Sequence, residues 1–175
     1  CLLQKALGED YLVTEEGLSG RTTVFTDPLH EGMDALGVIY PILKSHEAVD
    51  LLIIMLGTND TKDRFNANAA VIGKGMERLL RKAMEVDCWG DHKPRILVVA
   101  PPPIGDELKD PCMGEHCAEV SRGVPAELAK AAALLGQEFM DAGECEFNRV
   151  DYMHLTRKGH ARLAAMLLPK VKSLV

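Results

Sequence analysis

Two short runs of consecutive apolar residues, LLIIM and ILVVA, interrupt a chain whose other apolar residues mostly lie three and four positions apart. Runs of this length are typical of strands that are covered on both faces in a parallel sheet. They predict strands over residues 49–56 and 95–100. Weaker patterns predict two further short strands, over residues 11–14 and 144–147.

The three-and-four spacing of apolar residues predicts amphipathic helices between these strands. The helices cover residues 33–46, 66–86 and 121–142, with a last one after Thr156. Thr156 is a suitable N-cap for the last helix, and Pro169 is expected to end or kink it. The chain opens on the tail of a further helix at residues 2–7, with Gly8 as its C-cap.

Strands that alternate with helices predict an α/β fold, in which a parallel sheet carries helices on both faces. The length of 175 residues predicts a single domain spanning residues 1–175. Apolar residues make up 47% and charged residues 26%, which is typical of a globular protein. Residues 17–32 and 104–118 are polar or glycine-containing, and we expect both to be loops, the second a candidate lid.

Charge and composition exclude several classes of function. The net charge of −6 and the pI of about 5.5 argue against a broad basic surface for binding nucleic acid. No apolar stretch approaches the roughly 18–20 residues of a membrane span, so none is predicted. An odd number of cysteines without a dense framework predicts reduced thiols and a cytoplasmic location. Cys112, His116 and Cys117 do not complete a zinc-binding pattern, so neither a metal nor a cofactor is expected.

Small and polar residues follow the first buried strand directly, as Gly57-Thr58-Asn59-Asp60. Open α/β sheets bind their ligands at the carboxyl ends of the strands. An asparagine amide at such a position can donate a hydrogen bond to a developing oxyanion. The alternative is a simple turn, because the same residue types are good turn formers.

Two other groups of residues suggest chemistry. Asp151 and His154 lie three residues apart before the last helix, where the carboxylate can fix the tautomer of an imidazole that acts as general base. The alternative is a turn carboxylate beside a surface histidine. The glycines of residues 17–23 can let backbone N–H groups approach a ligand, or can simply form a tight loop.

Together, the motifs GLSGRTT, GTND and DYMH, in this order along the chain, resemble the SGNH (GDSL) hydrolase family and especially its arylesterase and acyltransferase branch. The resemblance covers essentially the whole chain and implies a flavodoxin-like three-layer α/β/α sandwich. It implies that His154 is the general base and Asp151 its orienting carboxylate. It also implies that the Gly20 N–H and the Asn59 amide belong to the oxyanion hole. The implied activity is that of a serine esterase, which hydrolyses or transfers small acyl groups through an acyl-enzyme.

The chain departs from the family pattern in one respect. The first motif, Gly-Asp-Ser-Leu or a variant, supplies the nucleophilic serine and one oxyanion N–H, and no such motif is present. The chain has four serines, and none of them follows a buried strand within a Gly-Asp-Ser sequence. They are Ser19, Ser45, Ser121 and Ser173. The resemblance places about 30–40 further residues before Cys1, at ordinary element sizes. We therefore expect that the domain is truncated at its N-terminus and that the first strand of the sheet is missing.

Two readings of the function follow from this departure. The first is a carboxylic ester hydrolase whose small ester substrate binds at the strand ends, with the nucleophile outside the present chain. The second is a non-catalytic α/β binding or scaffold domain that keeps the fold without the chemistry. Arg21, next to Gly20, can face the substrate or pair with Asp27, and we expect the pairing. The sequence leaves homo-oligomerisation open.

Overall fold

The computed structural model describes residues 1–175 and contains a three-stranded parallel sheet with helices packed on both faces. The strands, in spatial order, are β1 (Leu52–Ile54), β2 (Ile96–Ala100) and β3 (Glu138–Asp141). The helices are α1 (Leu2–Leu7), α2 (Ala35–Ser45), α3 (Ala69–Met84), α4 (Cys117–Leu134) and α5 (Arg157–Leu174). Two single 3-10 turns follow β1: η1 (Asn59–Thr61) and η2 (Asp63–Phe65).

Side chains of β2 alternate between two hydrophobic clusters, one on each face of the sheet. Ile96, Val98 and Ala100 pack with residues of α2, α3 and α4. Leu97 and Val99 pack on the other face with residues of α1 and α5. Every residue of β2 is buried, as expected for a strand covered on both faces. The predicted α/β class with helices on both faces of a parallel sheet is therefore confirmed.

The predicted apolar faces of the helices are also largely confirmed. The stripe of α3 is fully buried in the larger cluster and consists of Ile72, Met76, Leu79, Leu80 and Ala83. Asp34 caps α2 by accepting from the Gly37 N–H at 2.7 Å, and Thr156 caps α5 by accepting from the Gly159 N–H at 3.0 Å. α5 continues through Pro169 to Leu174, so the expectation that Pro169 ends the helix is wrong.

Two of the strand predictions are wrong. Residues 11–14 form no strand, because Gln4 binds this segment by accepting from the Val13 N–H and donating to the Tyr11 carbonyl. The third strand is Glu138–Asp141 rather than 144–147. The helix predicted to reach residue 142 ends at Leu134, where Gly136 turns the chain with a positive φ of 64°.

β1 lies at an edge of the sheet and pairs with β2 alone. It is shorter than the predicted 49–56. Although its sequence is as apolar as that of β2, most of the run stays only half-buried, including Leu52 and Ile53. β3 forms the other edge of the sheet. None of the helices combines the length and apolar character that a membrane span requires.

Candidate active site

The pair formed by Asp151 and His154 lies in the loop that leads into α5. The His154 Nδ1 is 3.0 Å from Asp151 Oδ2, and the backbone N–H groups of Met153 and His154 donate to Asp151 Oδ1 at 3.0 and 2.9 Å. One carboxylate thus fixes the histidine through both its ring and its backbone. The imidazole side chain is 69% exposed, which leaves Nε2 free to meet a substrate or a nucleophile.

The pKa of Asp151 reflects these contacts. Its partial burial acts to raise the pKa, but the hydrogen bonds from His154, Met153 and Asn148 outweigh burial and bring the pKa down to about 2. Asp151 is therefore ionised at every pH at which an esterase would be assayed. An ionised carboxylate on Nδ1 favours the tautomer that carries its proton there and presents Nε2 as the acceptor.

Asn148 braces this loop, and the sequence reasoning missed it. Its side-chain oxygen accepts from the N–H groups of Val150 and Asp151 at 2.8 and 2.9 Å. Its side-chain nitrogen and its backbone N–H both donate to the His154 carbonyl, at 2.9 and 2.8 Å. An asparagine three residues before a loop aspartate is a turn signal that could have indicated this role.

Asn59 opens the 3-10 turn η1 immediately beyond the carboxyl end of β1, where the sequence predicted an oxyanion donor. The residue is half-buried. Gly57 makes the sharp exit from the strand possible, because its φ is 128° and a Cβ there would lie 3.0 Å from Val124 of α4. The turn therefore packs closely between the end of β1 and α4, and this packing fixes the position of Asn59.

Gly20 lies in the loop 17–32 with a φ of 88°, a conformation that favours glycine, and a Cβ there would come within 3.6 Å of the Met33 sulfur. No backbone carbonyl of the chain accepts from its N–H. Asp60 ties this loop to the Asn59 turn: its Oδ1 accepts from the Thr23 N–H at 2.9 Å and from the Thr23 hydroxyl. Asp60 is fully buried, and sequence reasoning missed its role.

A second tie joins the same two segments. The buried carboxylate of Asp27 pairs with Arg64 Nη2 at 2.9 Å and lies 3.8 Å from Lys62 Nζ. The expected partner of Asp27, Arg21, is not the observed one; Nε and Nη1 of Arg21 are buried without a hydrogen-bond partner. That prediction is wrong because the two cations of the 62–64 segment fold back onto Asp27.

The structure thus brings His154 and Asp151 into direct contact, and it ties the Gly20 loop to the Asn59 turn. No hydrogen bond joins Gly20 or Asn59 to the His154–Asp151 pair, and the catalytic roles of all four residues stay predictions. A small crevice opens at the ends of β1 and β2. It is lined by Gly57, Thr58, Pro101, Pro102, Ser121 and Val124.

The serines of the chain do not take part in the pair. The hydroxyls of Ser45, Ser121 and Ser173 each donate to a backbone carbonyl three residues earlier. A cavity of about 130 Å³ lies between α3 and α4 and shares no residue with the candidate site. It does not mark the chemistry, because it is an open groove edged by the exposed charges of Lys74 and Lys130.

Comparison with known proteins gives one family over most of the chain. The model of the GDSL-like lipase/acylhydrolase family matches residues 1–162. None of the curated proteins matches the chain.

Several solved structures share the fold at appreciable sequence identity. A carbohydrate acetylesterase from Sinorhizobium meliloti is 32% identical with a TM-score of 0.90, and an aryl esterase from M. smegmatis is 32% identical with a TM-score of 0.91. Each alignment covers 99% of this chain and 84% of the other. A putative arylesterase from Agrobacterium tumefaciens is 31% identical with a TM-score of 0.89, over 99% of this chain and 85% of that one.

Proposed function

We propose that this chain, which belongs to the GDSL-like lipase/acylhydrolase family, carries most of the catalytic apparatus of a carboxylic ester hydrolase that acts through an acyl-enzyme. The observation that carries the proposal is the hydrogen-bonded pair of His154 and Asp151, with an imidazole side chain that is 69% exposed. The esterase activities of the similar solved structures support it. The scaffold alternative is less favoured, because a scaffold would not need an ionised carboxylate bound to both the ring and the backbone of one histidine.

In this proposal His154 moves the proton at each step. A serine hydroxyl gives its proton to His154 Nε2 as its oxygen attacks the ester carbonyl carbon, while Asp151 stabilises the resulting imidazolium. The Gly20 N–H and the Asn59 amide donate to the tetrahedral oxyanion. Collapse of the intermediate breaks the bond to the alcohol, which leaves with the proton from Nε2. Water then repeats the sequence and releases the acid.

The nucleophilic serine is proposed to come from a segment outside residues 1–175 that pairs with the free edge of β1. The support is the half-buried apolar surface of that edge, which a further parallel strand would cover. The carboxyl end of a parallel strand beside β1 would lie at the same edge of the sheet as Asn59. A serine there would lie on the side of the sheet where the oxyanion donors are.

The substrates are proposed to be esters of small acyl groups, such as aryl or carbohydrate acetates. The support is the named activity of the similar structures, a carbohydrate acetylesterase and an aryl esterase. Transfer of the acyl group to another alcohol is the finer alternative, in which the alcohol takes the place of water in the second half of the reaction. We also propose a cytoplasmic location, which the five unpaired cysteines support.

The experiment is hydrolysis of p-nitrophenyl acetate by residues 1–175 and by the same gene product extended upstream to its first Met. We expect activity only in the extended form, and we expect His154→Ala to abolish it. His160→Ala, which changes an unpaired histidine of α5, is the matched control and should leave the rate unchanged. No activity in the extended form would overturn the esterase proposal. Activity in residues 1–175 alone would overturn the placement of the nucleophile, and Ser19→Ala would then be tested.

A further inference from the structure

We propose that Asp63, a residue of η2 that belongs to none of the three motifs, positions the segment 112–117 over the site and thereby limits the size of the acyl group. The inference rests on the proposed esterase function and deepens it. We name this segment the clamped loop. It is the distal part of the polar stretch 104–118 and leads directly into α4.

The Asp63 carboxylate binds the clamped loop through three hydrogen bonds. It accepts from the N–H groups of Glu115 and His116 at 2.8 and 3.2 Å, and its Oδ2 lies 3.1 Å from His116 Nδ1. The Asp63 N–H donates to the Met113 carbonyl at 2.9 Å. Gly114 has a φ of 95°, and a Cβ there would collide with the Asp63 side chain. The loop is thus shaped around one carboxylate.

The turn that carries Asp63 is itself anchored on both sides. Arg64 Nη1 donates to the Cys112 carbonyl at 2.9 Å, while Nη2 of the same guanidinium binds the buried Asp27 carboxylate of the Gly20 loop at 2.9 Å. Asp63 lies only four residues after Asn59. Arg64 therefore links the clamped loop to the loop that carries Gly20, and Asp63 links it to the turn that follows Asn59.

The clamped loop also reaches the opposite side of the site. Met113 and Cys117 form a small buried cluster with Ile104, and Met153, the neighbour of His154, packs against that cluster. The Gly105 N–H, just after Ile104, donates to the Tyr152 carbonyl at 2.8 Å. A segment that contacts both η2, which follows the Asn59 turn, and the His154 loop bounds the space between them. Its position therefore decides how much room an acyl group has.

Asp63 is accordingly a positioning residue, since it acts through the loop and touches neither the base nor the oxyanion donors. When the carboxylate is lost, the loop has no side-chain acceptor for its three donors and should move away. Larger esters should then gain room, while acetate should react much as before. A merely structural role would instead lower the rates for all esters together.

The test uses the upstream-extended protein and compares p-nitrophenyl hexanoate with p-nitrophenyl acetate. In Asp63→Ala we expect the hexanoate-to-acetate ratio of kcat/KM to rise about tenfold, mainly through a lower KM for hexanoate, as for a few methylenes admitted to a pocket. Asp106→Ala is the matched control, because Asp106 lies in the same stretch and pairs with the exposed Arg122. An unchanged ratio in Asp63→Ala would overturn the proposal.

Two further measurements keep the result decisive. If Asp63→Ala fails to fold, Asp63→Asn keeps one acceptor oxygen and should show a smaller rise in the same ratio; no rise would again overturn the proposal. Hydrogen exchange of the Glu115 and His116 amides, measured without substrate, should accelerate in the Asp63 variants and not in Asp106→Ala. Faster exchange in the Asp63 variants of a protein that hydrolyses no ester would support the positioning of the clamped loop by Asp63 and would contradict the esterase function. Unchanged exchange would contradict the positioning itself.

Discussion

The two sides of the candidate site are built in opposite ways. The His154 side is local: Asp151 binds a histidine three residues away, and Asn148 braces both. The Gly20 and Asn59 side depends on long-range contacts, since Asp60 binds Thr23 across 37 positions in the chain. The His154 side needs only the contacts within the loop that precedes α5. The Gly20 and Asn59 side forms only after the sheet, the loop 17–32 and α4 have packed together.

This contrast has a consequence for the proposed chemistry. The side chain of His154 is 69% exposed, so it can adjust its position to the nucleophile. An oxyanion hole, in contrast, is effective only if its donors are held in place before the reaction begins. The buried contacts of Asp60 and Asp27 supply that rigidity. Substitutions on the His154 side should therefore impair chemistry with little loss of stability, and substitutions on the other side should affect both.

The largest effect is expected for Asp151→Asn in the upstream-extended protein. The amide cannot favour the tautomer that presents Nε2 as an acceptor, so kcat for p-nitrophenyl acetate should fall by about 10³–10⁴. The melting temperature should change little, because both side chains of the pair are more than a third exposed. The measurement is steady-state kinetics together with thermal unfolding.

Asp141→Asn is a suitable control for that variant. Asp141 also accepts a backbone N–H two residues ahead, that of Gly143 at 2.8 Å, but it has no histidine partner. It should retain full activity. Equal loss of activity in both variants, or retention in both, would contradict the role of Asp151.

The same contrast explains what could be predicted from the sequence. Asp151 and His154 lie within one turn of chain, so their spacing alone suggested that they meet. Asp63 could not be linked to the clamped loop, because its partner Glu115 is 52 positions away and neither belongs to a motif. The core of α3 followed from its periodicity, whereas β3 is only four residues long and follows α4 after three residues, so its signal merges with the helical pattern.

An intermediate effect is expected for Asn59→Ala, which removes one oxyanion donor. Loss of such a donor typically lowers kcat by about 10²–10³, and KM should change little because the donor acts mainly on the transition state. The measurement is kcat and KM for p-nitrophenyl acetate. Asn59→Asp, which keeps the shape but loses the donor, should be at least as slow; a fully active Asn59→Asp would remove Asn59 from the oxyanion hole.

The smallest effect is expected for Asp60→Asn, and it concerns stability rather than rate. Burial raises the pKa of Asp60 to about 6, against the lowering effect of the hydrogen bonds from Thr23. The folded state therefore holds this proton more tightly than the unfolded chain does. The stability gained from it is complete below the unfolded pKa near 4 and is lost as the pH rises through 6.

Between pH 5 and pH 7.5 the ionisation of Asp60 alone should lower the free energy of unfolding of the wild-type protein by about 1 kcal/mol, or its melting temperature by roughly 2–4 °C. Asp60→Asn keeps the oxygen that accepts from Thr23 and has no charge to bury, so its melting temperature should fall less over that interval. The pKa of His116 is raised by Asp63, and its titration weakens the fold in the same direction. Because that histidine is present in both proteins, the difference between their slopes isolates Asp60. Identical slopes would mean that Asp60 does not titrate in this range and that the segment joining the oxyanion donors carries an ordinary, ionised carboxylate.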